Sequence, residues 1–181
     1  MVEFAVSLPL MIVMVVGIFD FSGAYTLKHK LANAARDGAR AAAADPATDL
    51  GNGGVPVSVS DAFQMVDNDL KNAERINDCG IGTPASSGPL TWSSTANAAP
   101  TCSFTFTINR AYIISSGSTA TTTNCTSPAL AAGTKIVATC VALQYAYKWT
   151  FSNVITVLMP GGSGYPGTTT LSTKAVALNE N

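Results

Sequence analysis

The sequence predicts an α+β fold: a long N-terminal helix protruding from a head built of one short helix on a small antiparallel sheet. Three observations predict it. Phe4 to Phe19 is almost wholly apolar and uncharged, interrupted only by Ser7, Pro9 and Gly17. From Asp20 to Ala44, Tyr25, Leu27, Leu31, Ala34, Ala35, Gly38 and Ala42 recur at helical spacing, with Lys28, Lys30, Arg36 and Arg40 between them. Beyond Cys79 the chain turns to short alternating runs rich in Ser, Thr and β-branched residues. The expected division is a helical segment, residues 1–45, and a head, residues 46–181.

The N-terminal stretch reads as one continuous helix, greasy at its start and amphipathic at its end. Phe4 to about Ala24 approaches the length needed to span a bilayer, about 20 residues. A secretory signal is the competing reading. Its usual basic opening is missing, because the chain starts Met-Val-Glu, and no small-x-small site closes the apolar run. A soluble core helix would not be apolar all round. Helix-packing candidates are Phe4, Val6, Leu8, Leu10, Met11, Ile12, Val13, Gly17, Phe19, Phe21 and Gly23. Gly17 and Gly23, with Ser22 and Ala24, form a small-residue patch where another helix can approach closely. Pro9 removes the hydrogen bond to the Ala5 carbonyl and is expected to bend or loosen the helix. Glu3 at the apolar tip is costly in lipid or in a bundle without a cationic partner. An α-amino group, its own or a neighbour's, is the partner expected; an ordinary acidic helix start is the alternative.

Asp45-Pro46 ends the helix, since the residue before proline is pushed out of the α region. A Gly/Pro-rich loop follows, with a short extended piece at Val55 to Val59. Ser60 is the expected N-cap of a second helix over 61–75, whose Ala62, Phe63, Val66, Leu70 and Ala73 face the sheet. Residues 80–101 read as loop. Cys102 to Ile108 alternates as a half-buried strand, with Tyr112 to Ile114 returning across Asn109-Arg110. Residues 115–132 read as a second loop. Lys135 to Tyr147 is the longest strand candidate. Lys148 to Met159 is ambiguous between strand and helix, and could face lipid or a neighbour. Pro160 to Gly167 is a turn-rich loop, and Thr168 to Leu178 a final strand.

The function classes narrow by chemistry. A formal net charge of −1, with few charges of either sign, gives neither nucleic acid nor an anionic membrane surface an electrostatic target. The cysteines Cys79, Cys102, Cys125 and Cys140 form no C-x-x-C, and His29 is the only histidine, so neither zinc nor covalent haem finds its ligands. In an exported protein the even count implies disulfides, and sequence proximity suggests Cys79–Cys102 and Cys125–Cys140. Asn124-Cys125-Thr126 fits the N-glycosylation pattern, which arises readily by chance. A Ser-His-Asp set would have to draw on His29 in the helical segment, so no enzyme is expected. Asp61, Asp67, Asp69, Glu74 and Asp78 read as a solvated face; the calcium-loop motif is absent. No cofactor is expected.

Val2-Glu3-Phe4-Ala5-Val6-Ser7-Leu8-Pro9-Leu10, then Gly17-Ile18-Phe19-Asp20-Phe21, then Asn33-Ala34-Ala35-Arg36-Asp37-Gly38-Ala39-Arg40 resemble, in order and spacing, the TadE-like proteins of tight-adherence pilus systems. A looser likeness lies at Val141 to Tyr147 and Leu171 to Glu180. The resemblance implies a pilin-like precursor, clipped by a prepilin-type peptidase and held in the inner membrane by its helix. Extraction into a surface filament by the pilus assembly machinery would follow. One departure stands out: pilin-like proteins usually carry the acidic residue fifth after the cleavage point, and here it is third. The reading is a structural subunit packing with identical copies through its apolar helix, with Glu3 setting the register. A minor, membrane-resident assembly component and an adhesin-like binding module are the alternatives.

Overall fold

A computed structural model describes residues 2–46, 48, 50, 54–73, 79–98, 102–115, 124–126, 135–150 and 167–179. Helix α1 runs Val2–Ala44 and helix α2 runs Val57–Asn68, continued by a π-helical turn at Asp69–Ala73. Five strands follow: β1 (Ala85–Gly88), β2 (Thr91–Ala98), β3 (Cys102–Ser115), β4 (Lys135–Lys148) and β5 (Thr168–Leu178). They form one antiparallel meander in the order β1-β2-β3-β4-β5. The α+β architecture with a protruding N-terminal helix is therefore present.

Both helices cover one face of the sheet. Leu31, Ala34, Ala35, Ala39 and Ala42 of α1 are buried with Val59, Ala62, Phe63 and Val66 of α2. Opposite them lie Trp92, Phe104, Phe106, Ile108, Val141, Leu143 and Tyr145. The small side chains let the backbones approach closely. At Gly38 a Cβ would stand 2.5 Å from Val66 Cγ2 and 3.4 Å from the Ala62 carbonyl. The alanine stripe thus fills this chain's own core. Lys28, Arg36 and Arg40 lie on the exposed face of α1. Only the apolar first part of α1 projects beyond the core.

Several local expectations are corrected. Residues 57–60 are helical, and the N-cap is Pro56, whose carbonyl accepts from the Val59 and Ser60 N–H groups at 3.1 and 3.0 Å. The Val-Ser-Val-Ser alternation mimics a strand, but Ser58 and Val59 are buried against α1 and the sheet. The presumed loop at 80–101 contains the β1–β2 hairpin, because Trp92, Ser94 and Ala96 alternate inward despite the polar composition. Cys102 to Ser115 is one strand. A bulge between Asn109 and Tyr112 shifts its register on β4, which reverses the inward alternation instead of turning the chain. The ambiguous stretch from Phe151 to Met159 and the loop at 160–166 lie outside the described residues.

Disulfides join Cys79 to Cys102 and Cys125 to Cys140. The first ties the segment after α2 to the start of β3. The second sits on the face away from the helices, where Tyr112, Cys125, Cys140 and Ala142 form a small cluster. There the Asn109 side-chain amide donates to the Cys125 carbonyl at 3.0 Å.

Candidate functional site

The helix carries the candidate site, and its two ends are gripped differently. Phe4, Leu8, Leu10, Met11, Phe19 and Phe21 are all more than half exposed, from 52% to 78%, and Ile12 is 44% exposed. Val13 and Gly17 are half-buried, and Pro9 is exposed inside an unbroken α-helix. The side chains of Glu3 and Val6 lie outside the described residues. So the described packing candidates from Phe4 to Phe21 form a largely bare apolar rod. Residues 2–19 reach about 27 Å at about 1.5 Å per residue, close to the roughly 30 Å of a bilayer's hydrocarbon core. Met14, Gly17, Ile18, Phe21, Ser22 and Tyr25 line an open apolar groove along one side. Apart from its own turn of helix backbone, no atom lies within 4 Å of where a Cβ at Gly17 would be.

The rod meets the head at Asp20. This carboxylate is only 2% exposed, although its neighbours Phe19 and Phe21 are bare. A buried carboxylate needs hydrogen-bond donors to offset its lost hydration. Thr150, just past β4, supplies its backbone N–H to Asp20 Oδ1 at 3.2 Å. The Tyr147 hydroxyl donates to the Asp20 carbonyl at 3.4 Å. Gly23, expected to admit a neighbouring helix, admits the chain's own Tyr147: a Cβ there would stand 2.8 Å from the phenol oxygen. Tyr147 in turn meets Trp149 edge-on at 5.2 Å, and Trp149 Nε1 donates to Thr169 Oγ1 at 2.8 Å. The end of β4 and the start of β5 thereby form a collar around α1 just above the apolar segment.

Arg110 grips the other end. Its side chain is 1% exposed, donating from Nη2 to the Asp45 carbonyl at 2.9 Å and from Nη1 to Thr139 Oγ1 at 3.0 Å. Arg110 continues the inward alternation of Phe104, Phe106 and Ile108, and its N–H holds the Leu90 carbonyl of the β1–β2 turn at 3.0 Å. A guanidinium just beyond Ala44 also suits the negative end of the helix dipole. Thr139 and Asn179 complete the contact, since Thr139 Oγ1 donates to Asn179 Oδ1 at 2.5 Å. Sequence reasoning missed both grips. The signals were present: Asp20 is the one charge between Phe4 and Tyr25, and Arg110 the one charge between Cys102 and Ser115.

Burial holds the Tyr145 hydroxyl above its ordinary pKa. Among the described residues, no group of three His, Cys, Asp or Glu side chains is placed to hold a metal ion. Glu74 and Asp78 of the acidic set lie outside those residues.

The match to known families falls on the gripped helix. No curated protein and no solved structure matches the chain. The apolar rod, the Asp20 junction and most of the buried alanine stripe lie within residues 1–40, and this segment matches the family model described as TadE-like protein.

Proposed function

We propose that the chain is a membrane-anchored, pilin-like structural subunit of a tight-adherence type pilus, with no catalytic role. The observation that carries this reading is the bare apolar rod. Exposed apolar surface of that extent and length must be covered, first by lipid and then by the helices of identical copies. The groove at Gly17 offers a neighbouring helix close approach, and the head stays outside the bundle. In this reading a prepilin-type peptidase trims the precursor, the assembly machinery extracts it from the inner membrane, and Glu3 sets the axial register.

A second reading is a minor component that remains in the membrane and does not polymerise. The confinement of the TadE-like match to residues 1–40 favours it. Electron microscopy of material sheared from cells, with mass spectrometry of its N-terminus, separates the two. Filaments composed chiefly of this chain support the polymerising subunit. Retention in the membrane fraction, with no chain in the sheared material, overturns it in favour of the minor component. In the polymerising case Glu3→Ala is expected to leave the head folded and to reduce filament yield.

A further inference from the structure

We propose that the neck between rod and head binds the headgroups of anionic phospholipids. Lys28 and Lys148 supply the charge, and Tyr25 and Trp149 act as interfacial anchors. This rests on the membrane-anchored reading above and deepens it by naming the lipid class: the overall charge of −1 gives an anionic surface no target, and the attraction argued here is local to the neck.

Position is the first argument. The apolar rod ends at Phe21, and Tyr25, Lys28 and His29 follow within about 12 Å along the axis. Helical side chains lean toward the N-terminus, so these three lean toward the bilayer. The edge-on contact of His29 with the Tyr25 ring at 4.4 Å displays that lean. Tyr25 is itself 58% exposed, as expected of a ring at a membrane–water boundary.

The second argument is convergence from another part of the chain. The bonds from Tyr147 and Thr150 to Asp20 fix Lys148 and Trp149 at the level where the rod emerges. Lys148 is exposed there, and Trp149 is half-buried and held by Tyr147 and Thr169. At about 100° per residue, Lys28, Tyr25 and His29 lie successively further round the helix from the Asp20 side that faces the head. Lys28, Lys148 and the rings thus cover about half the circumference of the helix, within about 14 Å of its length, just above the rod. Farther up, Arg40 pairs with Asp37 at 3.8 Å. A lysine close to an anionic surface favours it by about fivefold at low salt.

The test uses the full chain reconstituted in phosphatidylcholine bilayers doped with lipids brominated near the headgroup. The brominated lipid is phosphatidylglycerol in one series and phosphatidylcholine in the other. Trp149 quenching is read as the difference between wild type and Trp149→Phe. Trp92 is buried in the core and pairs with Ile108, far up the sheet from Lys148. The expected result is stronger quenching by phosphatidylglycerol, several-fold in relative affinity. That preference should fall close to unity in Lys28→Gln/Lys148→Gln and in molar salt. Equal quenching by the two lipids, or a preference that survives the double substitution, overturns the headgroup site while leaving membrane anchoring intact. A chain that fails to enter any vesicle and shows no quenching overturns both.

Discussion

Thr150 donates its backbone N–H to Asp20 Oδ1 across 130 positions of sequence, which ties the end of β4 to the point where α1 leaves the core. The contact lies at the boundary between bare and buried helix. Asp20→Ala is therefore expected to cost about 0.5–1.5 kcal/mol, the usual net range for one hydrogen bond. The loss should be local first. Hydrogen exchange at Thr150 should accelerate well before exchange at Leu143 in the middle of β4. Unchanged exchange at Thr150 would show that the carboxylate does not hold the neck.

Arg110 is expected to matter more for global stability. Arg110→Ala removes donors to both the Asp45 carbonyl and Thr139 Oγ1 in a buried setting. The expected cost is roughly 2–4 kcal/mol. Arg110→Lys should recover only part of it, since an ammonium cannot reproduce the planar fork that reaches both acceptors. Denaturant titration of the detergent-solubilised chain measures both.

Gly38→Ala sets helix propensity against packing. Alanine favours the helix by up to about 1 kcal/mol. The Cβ, however, would stand 2.5 Å from Val66 Cγ2, a branched side chain with little freedom to move. Overpacking of this kind costs roughly 1–3 kcal/mol, so net destabilisation is expected. Val66→Ala in the Gly38→Ala background should then be less damaging than Val66→Ala alone. A double-mutant cycle showing no coupling would place the two side chains apart.

Tyr145 gives the head an alkaline limit. Burial raises its pKa above the ordinary tyrosine value of 10.0, so the unfolded chain releases this proton first. The folded state's advantage is intact below that value and declines as pH rises through the folded pKa. Stability should therefore fall above pH 10, and Tyr145→Phe should flatten this part of the profile. An unchanged slope would assign the alkaline loss to other groups.

How much of this was legible in the sequence depended on how strongly each signal stood out locally. The long helix and β4 were legible because their patterns run for many residues. The cysteine pairs follow the shortest separations in sequence, and the structure closes the same two, Cys79–Cys102 and Cys125–Cys140. The β1–β2 hairpin was hidden by its Ser, Thr and Gly content. It forms because Trp92 and Ala96 find partners on β3, which no local pattern reveals. Tyr112 to Ile114 reads as a returning strand, whereas the chain runs straight on through a bulge that depends on the register with β4. Asp20 and Arg110 were visible as isolated charges. Their partners Thr150, Asp45 and Thr139 lie 130, 65 and 29 positions away, beyond the reach of local spacing.

The packing of α1 on β4 and β5 also sets a schedule for synthesis. The helix is translated first, and the strands that bury its alanine stripe are translated last. At about 5–20 residues per second, the ribosome needs several seconds to half a minute to travel from Asp20 to Thr150. Throughout that interval the Leu31 to Ala42 stripe has no sheet to cover it. Early capture of the greasy end by the translocation apparatus would keep the nascent helix solvated by lipid rather than by other chains. The head then closes as a late event, once β5 has emerged.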